Sequence, residues 1–80
     1  MKIRKTLLHE KEIKVYIYEN KKEETFVVAV PTQEWSISFT YEENGEHFVN
    51  KLFSSLMNTG LDQESAEGLA HRIYQWTCEM

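Results

Sequence analysis

Eighty residues, 41% hydrophobic and 28% charged with a net charge of −4, suit one small soluble domain with room for a single core. No apolar run approaches the ~20 residues of a membrane-spanning helix, and the opening MKIRKTLLHE lacks the apolar segment and small-residue cleavage site of a secretory signal. A single cysteine excludes an internal disulfide framework and fits a reducing compartment, so a cytoplasmic location without a membrane partner is expected.

The first candidate strand, residues 2–8, has the weakest alternation: Ile3 and Leu7 share one side and Leu8 takes the other. The His9-Glu10-Lys11 connection carries no Gly or Asn turn signal, so this strand could pair with the next one or lie at another edge. Residues 12–19 alternate cleanly, with Ile13, Val15 and Ile17 on one side and Lys14, Tyr16 and Tyr18 on the other. Residues 25–30 and 35–41 follow as the third and fourth strands. A loop of Asn20 to Glu23 would set Ile17 opposite Phe26 and Val15 opposite Val28. A loop of Pro31 to Glu34, with Pro31 suited to a type I turn, would set Val30 opposite Trp35, Val28 opposite Ile37 and Phe26 opposite Phe39. All six would then lie on one face of the sheet.

At Asn44-Gly45 the apolar period changes from two to between three and four. Phe48, Val49, Leu52, Phe53, Leu56 and Met57 make a wide helical stripe over residues 45–58, started by Asn44 or Gly45 and stopped by Asn58-Thr59-Gly60. Asp62 caps a second helix over 62–78, with Leu61 and Ala66 as a staple pair. Its stripe is Ala66, Leu69, Ala70, Ile73, Trp76 and Met80, and Gly68 sits within it at a cost of about 1 kcal/mol relative to Ala. The order β-β-β-β-α-α predicts an α+β fold: an antiparallel sheet of three to four strands with both C-terminal helices packed on one face.

Charge is uneven along the chain. Lys2, Arg4, Lys5, Lys11, Lys14, Lys21 and Lys22 outweigh Glu10, Glu12 and Glu19, whereas the remainder has only Lys51 and Arg72 as cations. The basic end raises nucleic-acid binding as an alternative, but Lys on edge strands also discourages aggregation. The acidic balance of the whole argues against a nucleic-acid partner.

Residues able to carry chemistry are sparse. Glu67 and His71, four apart on the second helix, are a weak metal pair, because zinc takes three or four protein ligands. Glu43, Glu46 and His47 are weaker still. Cys78 lies near a helix C-terminus, where the partial negative charge opposes thiolate formation, so an inert surface thiol is expected. Ser54 and Ser55 sit in a helix without a local Asp–His arrangement, and no phosphate loop or metal motif occurs. No cofactor, metal or enzymatic activity is expected.

The second sheet face holds the better candidates. Tyr16, Tyr18, Val27 and Ala29 should cluster there, with Leu8 at the margin. Aromatic residues on a contiguous apolar patch are enriched at interfaces, although Tyr and Val also simply suit strands. The expectation is a protein-interaction or regulatory module, with a protein partner or self-association through this face. A small-ligand-binding domain is the remaining alternative.

The segments VVAVPTQEWSISF and LAHRIYQWTCEM, in this order, resemble the YueH-like family of small Bacillus-type bacterial proteins. The resemblance spans nearly the whole chain. It implies a bacterial cytoplasmic location and a one-domain architecture, and it carries over no catalytic or binding residues.

Overall fold

The computed structural model describes residues 1–79, so the stripe position assigned to Met80 lies outside the described residues. Four strands, β1 (Lys2–Leu8), β2 (Lys11–Asn20), β3 (Thr25–Val30) and β4 (Trp35–Thr40), precede two helices, α1 (Gly45–Met57) and α2 (Gln63–Glu79). The α+β order matches the period change at Asn44-Gly45. Two compact units result, one ending at Glu42 and one beginning at Glu43.

In the first unit the strands form one antiparallel sheet in the order β1-β2-β3-β4, which fixes β1 beside β2. The connection is a two-residue turn with both His9 (φ 52°) and Glu10 (φ 66°) in the left-handed region. Two-residue hairpin turns of this primed kind match strand twist and usually recruit Asn-Gly; here two ordinary side chains bear the strain.

The β3–β4 register is as expected, with Val30 opposite Trp35, Val28 opposite Ile37 and Phe26 opposite Phe39. Pro31 opens a 3₁₀ turn, Pro31–Gln33, and Glu34 donates its backbone N–H to the Pro31 carbonyl at 3.0 Å, with Glu34 at φ 50°.

The β2–β3 register departs from the expectation by two residues. Ile17 faces Val28 and Glu19 faces Phe26, because β2 runs on to Asn20 and the turn is Lys21 to Glu24. The Asn20 Oδ1 accepts the Glu23 backbone N–H at 3.2 Å, and Glu24 closes the turn at φ 55°. A slip of two leaves every side chain on its own face, so alternation alone could not choose between the registers.

Ile13, Val15, Ile17, Phe26, Val28, Val30, Trp35 and Phe39 are buried on the inner face. Ile37, on the edge strand, is only half-buried. Phe26 stacks on Phe39 with centroids 5.3 Å apart and meets Tyr41 at 5.2 Å.

In the second unit Phe48, Val49, Leu52 and Leu56 of α1 and Ala66, Leu69, Ala70 and Ile73 of α2 are buried. The α1 stripe is narrower than its sequence pattern: Phe53 is half-buried and Met57 exposed, since they lie about 40° and about 80° beyond Val49, at and past the flank of the buried row. Trp76 is half-buried.

Asn44 precedes α1 in extended conformation without a side-chain cap. The Tyr74 hydroxyl instead accepts the Gly45 backbone N–H at 3.1 Å, joining α2 to the start of α1. Gly45 has φ 73°, which favours glycine. Asp62 Oδ2 accepts the Ser65 N–H at 3.1 Å, the expected cap of α2. A Cβ built on Gly68 meets nothing within 4 Å, so no close backbone approach requires this glycine.

Candidate functional site

Register determines what the second sheet face presents. With Ile3 opposite Tyr16, Tyr16 opposite Ala29 and Ala29 opposite Ser36, one rung reads Ile3–Tyr16–Ala29–Ser36 across all four strands. The next reads Tyr18–Val27–Ser38. The four residues expected to cluster here do so on adjacent rungs. Tyr18 and Val27 are 48% and 39% exposed, and Tyr16 and Ala29 are half-buried.

Leu8 is a correction. It faces Lys11, which shares the inner side with Ile13, so Leu8 points inward and is half-buried. Ile3 and Leu7 take the outer side instead, 52% and 72% exposed. The two-residue turn decides this, because it pairs Thr6 with Ile13 and Arg4 with Val15. No Asn-Gly marks that turn in the sequence, so the alternation within β1 alone leaves the face of Ile3 open.

The outer face is also charged at one end. Lys5 stands directly opposite Lys14, and like charges at opposed positions destabilise a sheet. Glu12 supplies one carboxylate, 3.7 Å from the Lys5 ammonium. Among the described residues no carboxylate pairs with Lys14, which stands beside Tyr16 on this face. The register divides the other cations, since Lys2 and Arg4 lie on the inner side of β1. The Arg4 Nε is buried without a hydrogen-bond partner among the described residues.

At the sheet end, Tyr41 donates its hydroxyl to the Glu19 carboxylate. The phenol is pushed up to about 12, first by that hydrogen bond, then by partial burial and by the charges of Glu19 and Glu24. Lys22, Glu23, Glu24, Thr40 and Glu42 surround it in an open recess.

In the second unit His71 Nδ1 lies 2.9 Å from the backbone carbonyl oxygen of Glu67, not from its carboxylate. Both residues border an open groove with Val49 and Asn50 of α1. Among the described residues there is no group of three or more His, Cys, Asp or Glu able to hold a metal ion. Glu43 forms an ion pair with Lys51, and Cys78 is exposed. No helix among the described residues is long and apolar enough to cross a membrane.

The family model described as YueH-like protein matches residues 2–79. A relative from Bacillus subtilis (strain 168), named uncharacterized protein YueH, is 37% identical over 83 aligned positions covering the whole of both chains. No solved structure matches.

Proposed function

The chain belongs to the YueH-like family, and from that premise we propose that it is a non-enzymatic protein-interaction or regulatory module docking a protein on its outer sheet face. The observation supporting this reading is the exposure of Ile3, Tyr18 and Val27 on neighbouring rungs of one face. Burying each such side chain against a partner would yield about 1.5–3 kcal/mol before ordering costs. The partner is a protein surface with an apolar centre and an acidic side chain at its rim, complementing Lys14 beside Tyr16. A lone exposed thiol suits the reducing cytoplasm, where we place this activity.

The test compares the chain with its Tyr18→Ser, Val27→Ser double variant in extract of the source cell. The proposal expects the unaltered chain to elute in a complex heavier than the purified chain at the same concentration, and the variant to elute as the purified chain does. Identical elution of the two would contradict it.

A further inference from the structure

The two edges of the sheet differ. β1 carries Lys2, Arg4 and Lys5, whereas β4, Trp-Ser-Ile-Ser-Phe-Thr, has no charge and no proline. Cations and proline are the usual protections of an edge, because an unprotected edge is a template for another strand. Tyr41 donates its N–H to the Glu24 carbonyl at 3.0 Å, and Tyr41 lies opposite Glu24 when the β3–β4 register is continued. Antiparallel ladders alternate, so Trp35, Ile37 and Phe39 turn their backbone groups to β3. Ser36 and Ser38 therefore turn theirs to the free edge, and both residues are exposed.

We infer that β4 pairs antiparallel with β4 of a second copy of this chain, about a twofold axis through Ile37. That register makes Ser36 and Ser38 of the second copy a hydrogen-bonded pair. It sets Ile37 against Ile37 of the second copy at a close, non-hydrogen-bonded position, with a Cα separation of about 4.5 Å. On the same side Trp35 meets Phe39 of the second copy. Ile37, half-buried among buried neighbours on the inner face, gains the cover it lacks. The opposite side pairs Ser36 with Ser38 and Thr40 with Glu34 of the second copy, so no like charges meet. Antiparallel pairing of β1 on itself about Ile3, Arg4 or Lys5 would set Lys2 against Arg4, Arg4 against Arg4, or Lys5 against Lys5 of the second copy, so the cations narrow its registers while β4 carries no such restriction. Closed twofold symmetry stops growth at the dimer.

Cysteine capture tests the register. Ile37→Cys with Cys78→Ser should close an intermolecular disulfide under mild oxidation, since about 4.5 Å lies within the usual Cα span of a disulfide. Ser36→Cys in the same background faces Ser38 of the second copy and should capture far less. The wild-type chain, with only exposed Cys78, reports random collision. Capture at Ile37 no greater than at Ser36 or Cys78 overturns the inference. Sedimentation of the unmodified chain should approach twice its 9.5 kDa mass as concentration rises. Ser38→Pro, whose lost N–H points to solvent in the monomer, should remain at the single mass. A wild-type monomer at every concentration, or species heavier than a dimer, also overturns it. A dimer lost in Tyr18→Ser, Val27→Ser but kept in Ser38→Pro would assign self-association to the outer face instead, so the two readings fail separately.

Discussion

Tyr41 hydrogen-bonds to the Glu19 carboxylate, joining residues 22 positions apart at one end of the sheet. The bond and the neighbouring charges raise the phenol from 10.0 to about 12. An unfolded chain gives up this proton near pH 10 while the folded one still holds it. The stabilisation is therefore complete below pH 10 and is lost as pH rises through about 12. Ultraviolet titration should show a phenol ionising near 12 that is absent in Tyr41→Phe and moves toward 10 in Glu19→Gln. Identical high-pH titration curves for the unaltered chain and Tyr41→Phe, apart from the loss of a group near 10, would refute the assignment.

Gly68 is exposed inside α2 and its missing Cβ would meet nothing. Gly68→Ala should raise stability by about 0.5–1 kcal/mol in urea unfolding, through backbone entropy alone. A loss of stability would mean that a neighbour approaches there after all.

The His9-Glu10 turn holds two side chains at positive φ. Replacing the pair by Asn-Gly, His9→Asn with Glu10→Gly, should stabilise the chain by about 1 kcal/mol by relieving that strain. No gain in unfolding midpoint would count against the turn geometry.

Tyr74 serves α1 in place of an N-cap side chain. Tyr74→Phe keeps the ring, 6.0 Å from Phe48, and removes only the hydroxyl. The expected loss is about 0.5–1.5 kcal/mol, the usual net worth of one hydrogen bond. Amide exchange should quicken at Gly45 more than elsewhere in α1.

Much of the architecture is legible in the chain because its periods are clean and its breaks are marked. Pro31 and two alternating strands specify the β3–β4 pairing, and Asp62 specifies the start of α2. Three features escaped for physical reasons. A shift of two between β2 and β3 conserves both faces, so only the Asn20–Glu24 turn could decide it. The β1–β2 turn uses His9-Glu10 where Asn-Gly would have announced it. Phe53 and Met57 continue the α1 pattern but lie beside the row that is buried. For the candidate site, Tyr16, Tyr18, Val27 and Ala29 were readable from parity within β2 and β3. Ile3 and Leu7 were not, because their face depends on a turn without a sequence mark.

The outer face is tested most directly by a photo-reactive amino acid placed at Val27 in the living source cell, with exposed Ser54 on α1 as reference. Docking on the sheet predicts a discrete protein adduct at Val27 that is much weaker at Ser54 and lost when Tyr18→Ser is added. Equal adducts at the two positions, or an adduct at Val27 indifferent to Tyr18→Ser, would contradict it.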